Sequence, residues 1–223
     1  MGKAIVLLSG GLDSTTALYK AKADGFNRIY ALTFIYGQRH IKEIEAARKI
    51  ASKAKVEEHK LVELMLNDWG SSSLVHGETA LDDSLIEGTS IPNTYVPARN
   101  MVFLSVAASY ADAAGIRDIY IGVSEVDYSG YVDCRREFIA SMEKAINMGT
   151  VLGAEKGEHI RIHTPFMSMK KSEVILLGMA LGVDYADTWS CYKGDSLPCG
   201  RCESCRLRAR AFREAGIEDP LIK

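Results

Sequence analysis

Residues 4–14 read Ala-Ile-Val-Leu-Leu-Ser-Gly-Gly-Leu-Asp-Ser. The first five form a continuous apolar run, the pattern of a strand buried on both faces. Gly10 and Gly11 end the run, and a helical pattern starts near Asp13 and extends to about Ala23. A buried strand, a glycine turn and a helix are the opening of an α/β sheet. The glycines let the backbone turn tightly and bring its N–H groups close to a ligand. The helix N-terminus adds unpaired donors and partial positive charge, and the Ser9 and Ser14 hydroxyls add hydrogen bonds, a combination suited to pyrophosphate. The same residues also make an ordinary turn in which Asp13 or Ser14 caps the helix and nothing binds. The spacing is not GxxxxGK[ST] and no lysine follows the loop, so this is not a standard P-loop.

Outward from this stretch the pattern repeats. Strands are expected over 28–34, 57–63, 118–123 and 159–163, and helices over 38–54, 99–114, 134–148, 170–182 and about 203–215. Alternating strands and helices predict an α/β fold: a mainly parallel sheet with helices on both faces. The stretch 68–95 lacks periodicity and reads as a long loop, either a lid or an irregular surface connection. The expected division is a nucleotide-binding α/β domain over 1–187 and a small cysteine-bearing subdomain over 188–223 packed on it.

The chain has 223 residues, enough for one sizeable core, and a formal net charge of -2 from 27 basic and 29 acidic residues. A protein whose main task is gripping a nucleic-acid backbone shows a basic excess, so no nucleic-acid partner is expected. No apolar run approaches the ~20 residues of a membrane span, so no membrane partner is expected either. The N-terminal apolar stretch is too short for a signal peptide, and Met-Gly-Lys-Ala-Ile-Val lacks the Ser or Thr of a myristoylation signal. A cytoplasmic location is the resulting expectation.

Four of the five cysteines crowd into residues 191–205. Cys191, Cys199, Cys202 and Cys205 follow a C-x7-C-x2-C-x2-C pattern. In a reducing compartment such clustering points to metal rather than disulfides. Four thiolates close a tetrahedral zinc site, structural because no coordination position is left open. The ligand count alone also suits an iron–sulfur cluster.

Three further segments sit at strand ends or helix starts: Tyr95–Asn100, Gly122–Arg135 and Thr188–Tyr192. In an open parallel sheet ligands lie beyond the carboxyl ends of the strands. Arg99 can neutralise a phosphate or carboxylate; a helix start is otherwise a poor place for a cation. Lys170 and Lys171 raise the same question, and one of them can reach a pyrophosphate or stay solvated. Asp127 and Asp133 can hold Mg²⁺, read a heterocycle edge or cap, Asp133 being placed to cap the helix at 134. Tyr128 or Tyr131 can stack on a purine-like ring or simply pack. Cys134 is a nucleophile candidate or an inert packing residue.

Ser-Gly-Gly-x-Asp-Ser after the first strand resembles the PP-loop of the ATP pyrophosphatase superfamily. With Val-Pro-Ala-Arg-Asn at 96–100, Asp-x-Ser-Gly-Tyr-x-Asp-Cys-Arg at 127–135 and the cysteine spacing, nearly the whole chain resembles the 7-cyano-7-deazaguanine synthase family of queuosine biosynthesis. Val132 stands where that pattern leads one to expect proline. The resemblance implies an ATP-dependent carbon–nitrogen ligase. It would join ammonia to 7-carboxy-7-deazaguanine through adenylated intermediates and yield the nitrile, with Mg²⁺ on the phosphates and structural Zn²⁺ on the cysteines. It implies free ammonia as donor and a homodimer. The nucleotide-binding set is then Leu8, Ser9, Gly10, Gly11, Leu12, Asp13, Ser14, Thr15, Thr16, Ala17 and Leu18. Asp13, Ser14, Arg99 and Lys170 are the catalytic candidates, and Asn100, Asp127, Tyr131 and Asp133 the substrate candidates. Two rival readings are a PP-loop enzyme modifying tRNA, which would need a basic surface, and a non-enzymatic ATP sensor.

Overall fold

The apolar N-terminal run becomes β1 (Gly2–Leu7), whose last four residues are buried. The computed structural model describes residues 2–37, 41–66, 72, 74, 94–126, 131–193 and 196–222. Among them the chain continues through α1 (Leu12–Ala23), β2 (Phe26–Ile35), α2 (Ile41–Lys53), β3 (Glu58–Glu63), α3 (Arg99–Ala114) and β4 (Asp118–Tyr120). It ends with α4 (Arg136–Gly149), α5 (Val151–Ala154), β5 (Arg161–His163), α6 (Lys171–Ala180) and α7 (Glu203–Glu214). All strand pairs are parallel, in the order β3-β2-β1-β4-β5. Strand order reverses at β1, which opens a crevice beyond the carboxyl ends of β1 and β4.

The continuous apolar run is explained by two covered faces. Ile5 and Leu7 pack with Leu104, Ala107 and Ile119 on one side. Ala4, Val6 and Leu8 pack with Leu18, Ala47 and Ile50 on the other. The period of two along a strand thus divides one apolar stretch between two cores. The C-terminal tail shares the second: Trp189, Cys191, Cys202 and Cys205 belong to it. A third cluster joins Leu12 and Ala17 of α1 to Ile175 of α6 and Phe212 of α7. Arg208, almost wholly buried, fastens the tail, its guanidinium donating to both carboxylate oxygens of Asp219 at 2.6 and 2.8 Å.

Three local differences from the sequence-based expectations have physical causes. The β4 ladder stops at Tyr120 rather than 123, because the next residues swing against α1. The helix expected at 134 starts at Arg136, after a 3-10 turn at Val132–Cys134. Asp133 therefore does not cap that helix. Its carboxylate turns back and accepts the Asn100 N–H at 2.8 Å, capping the first turn of α3 from outside. The short α5, unexpected from the sequence, is capped by Thr150 and by Asp112, whose carboxylate takes the Val151 and Leu152 N–H groups at 3.0 and 2.8 Å. Most of the 68–95 stretch, and with it the lid question, lies outside the described residues. Among the described residues no helix is long and apolar enough to cross a membrane.

Candidate active site and cysteine cluster

The loop between β1 and α1 is held by its own hydroxyls. Ser14 Oγ accepts the Ser9 N–H at 3.1 Å, lies 3.0 Å from Ser9 Oγ and donates to the Gly11 carbonyl at 3.1 Å. Gly11 precedes α1 without a side-chain cap, so the first N–H groups of the helix are not closed off by the loop itself. Gly10 sits at φ +89°, and a Cβ there would lie 2.3 Å from the Glu43 carbonyl oxygen. Glycine is thus demanded both by conformation and by the close approach of α2.

From the other side, Gly122 backs onto the start of α1. A Cβ on it would lie 2.8 Å from the Asp13 carbonyl carbon and 3.1 Å from the Ser14 nitrogen. These are backbone atoms, which cannot rotate away. Gly122→Ala is expected to push the loop out of register, lowering turnover at least ~100-fold and costing about 1–3 kcal/mol of stability. Urea unfolding and a steady-state assay check both numbers.

The loop forms one end of a cavity of about 330 Å³. Leu8, Ser9, Gly11, Leu12, Asp13 and Ser14 line it. Gly10, Thr15, Thr16, Ala17 and Leu18, from the same expected set, do not. Thr15 and Thr16 instead return their hydroxyls to the Gly11 and Leu12 carbonyls at 2.7 and 2.9 Å, and Ala17 and Leu18 are fully buried. The cation at this end is Lys171, not Lys170. Lys171 Nζ lies 2.7 Å from Asp13 Oδ2 and lines the cavity. Lys170 is the residue before α6, its N–H donating to Glu173 at 2.7 Å, and it is absent from the cavity wall. One residue of helix phase separates the two.

The same cavity has aromatic walls, with Phe34, Tyr36, Phe103, Tyr131 and Tyr192 among its lining. Arg99 enters among them. Its guanidinium carbon is 5.7 Å from the Tyr36 ring centre, 6.0 Å from Phe103 and 5.8 Å from Tyr131, and Nη1 donates to the Tyr36 hydroxyl at 3.3 Å. Among the described residues no carboxylate hydrogen-bonds to it. Ala98 delivers Arg99 to the first position of α3 from a left-handed conformation at φ +52°, a strain of order 1 kcal/mol that a non-glycine residue bears where geometry matters. Asn100 lines the cavity beside Cys134 and donates Nδ2 to its sulfur at 3.2 Å. Asp133 is buried behind them and serves as the cap described above rather than as wall. Tyr131 faces the cavity with its hydroxyl bonded to Thr94 at 2.8 Å. Asp127 and Tyr128 lie outside the described residues.

Sequence reasoning missed Glu43. It lines the cavity from the first turn of α2, and burial pushes its carboxyl up to about 7, with Arg99 opposing. The signal was present: Glu43, Ala47, Ile50 and Ala54 follow helical spacing, and the last three are core. An acid on an apolar stripe is the anomaly to look for.

The four clustered cysteines converge, their sulfurs all within 4.8 Å of one another and Cys199 4.0 Å from Cys205. A tetrahedral zinc with Zn–S bonds near 2.3 Å needs sulfur–sulfur edges of about 3.8 Å, a small contraction from this arrangement. Backbone N–H groups already point at the sulfurs: Cys199 and Lys193 at Cys191, Cys202 and Arg201 at Cys199, at 3.3–3.4 Å. Such donors favour thiolates. A hydrogen bond from Cys205 holds the Cys202 thiol well below its usual range, and the same contact pushes Cys205 up. Four thiols this close lose a first proton readily and resist losing more, an electrostatic conflict that a divalent cation removes. The cluster can therefore hold a metal. It is tied to the loop, since Trp189 N–H donates to the Gly10 carbonyl at 2.9 Å and Trp189 Nε1 to the Cys191 carbonyl at 3.0 Å.

The family model for Queuosine biosynthesis protein QueC matches residues 3–216. A curated relative from Clostridium kluyveri, named 7-cyano-7-deazaguanine synthase, is 57% identical over 221 residues, covering 99% of this chain and 97% of its own. One of the same name from Trichodesmium erythraeum is 50% identical over 223 residues, covering 99% of this chain and 100% of its own. Among solved structures, the NMN synthetase from Francisella tularensis is similar in fold, with TM-score 0.50 at 17% identity, covering 97% of this chain and 78% of that one.

Proposed function

The chain belongs to the QueC family of queuosine biosynthesis proteins, matched over residues 3–216, and on that premise we propose that it is an ATP-dependent carbon–nitrogen ligase making 7-cyano-7-deazaguanine from 7-carboxy-7-deazaguanine and ammonia. The observation that carries the reading is one cavity lined both by a backbone-rich phosphate loop and by a caged arginine that, among the described residues, has no hydrogen-bonded carboxylate. An activating ligase needs that pair: donors for departing pyrophosphate, and a fixed cation that lets an anionic acid approach an anionic nucleotide.

The substrate carboxylate attacks the α-phosphorus, and the bond to pyrophosphate breaks. N–H groups of the Ser9–Ser14 loop take up the charge developing on the leaving oxygens, with Lys171 beside them. Arg99 orients the carboxylate and screens it from the phosphates. Ammonia then adds to the acyl carbon, AMP departs and the amide remains. A second ATP activates the amide oxygen as the nitrogen sheds one proton, and loss of AMP and the last nitrogen-bound proton leaves the nitrile. The protein's contribution is mostly positioning and charge. Asp13, at the loop, would hold Mg²⁺, which would supply neutralising charge for the phosphates. Zn²⁺ would be held by Cys191, Cys199, Cys202 and Cys205 with no position left for substrate, so it would be structural. A metal-bearing subdomain at 188–223, a cytoplasmic location and a homodimeric state belong to the same proposal.

Purified protein given ATP, Mg²⁺, ammonium and the acid should form AMP and the nitrile, both visible by mass spectrometry. Products limited to ADP and orthophosphate would refute the reading. Ser14→Ala removes the acceptor of the Ser9 N–H and is expected to slow AMP formation by roughly 100-fold or more, with melting shifted only a few degrees. Unchanged turnover would take the loop out of the mechanism.

A further inference from the structure

Glu43 stands in the wall of this cavity and takes no part in the steps above. The turn of α2 that carries it packs directly on the phosphate loop, since its carbonyl oxygen is the nearest atom to the missing Cβ of Gly10. Its side chain lines the space shared by the loop and Arg99. Among the described residues its carboxylate has no hydrogen-bond or ion-pair partner. The groups that face it are Arg99 from α3, Tyr36 after β2, and Tyr192 from the cysteine-bearing segment, with Tyr131 in the same wall. Burial raises all three phenols, so they stay neutral near pH 7 and Arg99 is the charge acting on Glu43. Asp13 and Lys171, in the lining of the same cavity, pair with each other.

The proposed chemistry needs a proton acceptor in both halves, for one nitrogen-bound proton in the first and two in the second. When ammonia adds to the acyl-adenylate, the carbon–nitrogen bond forms, the carbon–oxygen bond to AMP breaks, and the new nitrogen must shed one proton to become a neutral amide. When the adenylated amide collapses, the carbon–oxygen bond to AMP breaks again. Adenylation of the amide oxygen has already shed a second nitrogen-bound proton; on collapse the last N–H electron pair becomes the third carbon–nitrogen bond, and a third proton leaves. No electrons are exchanged with an outside reagent, so a base is the whole requirement. We propose that Glu43 is that general base, accepting nitrogen-bound protons in both halves and returning each to solvent before the next. The role rests on the function proposed above. A carboxyl raised to about 7 is matched to proton transfer at neutral pH, where an ordinary glutamate is too weak a base. An acid on an apolar helix stripe with no hydrogen-bond or ion-pair partner among the described residues is otherwise a cost without return.

The test compares wild type, Glu43→Gln and Glu43→Asp for nitrile formation across pH 5.5–9, with ammonium and with hydroxylamine, a nucleophile already neutral at pH 7. Glu43→Gln should lower kcat with ammonium by about 100-fold or more and abolish the acidic limb that the wild-type rate shows near pH 7. Glu43→Asp should recover part of the rate. Hydroxamate formation with hydroxylamine reads the first half alone, and because that adduct must also shed a nitrogen-bound proton the loss should persist there. Folding is checked by melting. A raised carboxyl makes the folded state bind more protons between the unfolded value of 4.5 and about 7, so stability falls as pH rises through that window. The glutamine variant should therefore melt above wild type at pH 8, the gap closing towards pH 5. A variant that keeps the acidic limb, or that raises KM for the acid while kcat stands, overturns the base and makes Glu43 a reader of the heterocycle edge. A wild type that forms no AMP overturns the proposed function itself and this role with it.

Discussion

Replacing Cys202 with serine, or stripping the metal with a strong chelator, is expected to lower the melting temperature by 10 °C or more and to reduce turnover at least 100-fold. The stability loss follows from where the thiols lie. Three of the four are buried in the core that also holds Val6 and Leu8 of the central strand. Without an ion those sulfurs must share protons at distances below 5 Å, and the segment that carries them loses its cross-link. Closing such sites contributes ~10 kcal/mol or more in small zinc domains. A tail also anchored by Arg208 and Phe212 should lose a fraction of that, several kcal/mol, and each shifts melting by ~2–4 °C in a chain of this size. The activity loss follows from Trp189, whose N–H holds the Gly10 carbonyl of the phosphate loop. Freeing Cys191 frees Trp189, and the loop then lacks one of its two walls. Elemental analysis should find about one zinc per chain. Iron with visible absorbance would overturn the zinc assignment, and a metal-free protein with unaltered melting and turnover would overturn the structural role.

The elements that packing dictates were legible because a single physical cause dominates each. The 4–8 run is apolar throughout because both its faces are covered, and α3 spans the expected 99–114 because nothing interrupts its pattern before Gly115. The cysteine cluster was legible from spacing, since chain connectivity leaves few ways to arrange thiols two residues apart. What escaped the sequence depends on where elements meet. Asp133 is an equally good local cap and long-range cap, and only the packing of the 132–134 turn against α3 selects the second. Lys170 and Lys171 differ by one helical step of about 100°, less than the uncertainty of a helix start. β4 is cut short by the backbone of another helix, a contact no strand pattern encodes. Glu43 was legible in principle, by its place on a stripe with Ala47 and Ile50, but its purpose requires knowing that Arg99 and the loop face it.

The other large effect expected is at Arg99. Arg99→Met should lower kcat/KM for the deazaguanine acid by about 1000-fold, equivalent to about 4 kcal/mol of transition-state stabilisation, while KM for ATP stays within a few fold. Two features separate this arginine from a structural one. It occupies the first position of α3, where the helix dipole disfavours a cation, so its removal should leave melting unchanged or raise it. Among the described residues, moreover, it meets three ring faces and one hydroxyl at 3.3 Å, which orient a planar guanidinium and leave donors for an incoming carboxylate. Arg99→Lys is therefore the sharper variant. It keeps the charge but loses both the planar fork and the stacking, and should still fall by about 100-fold. If lysine restored full activity, a point charge would suffice and the cage would be packing. If methionine cost ATP binding as much as acid binding, Arg99 would belong to the nucleotide. A selective loss for the acid, with the fold intact, is what a carboxylate clamp held between aromatic walls predicts.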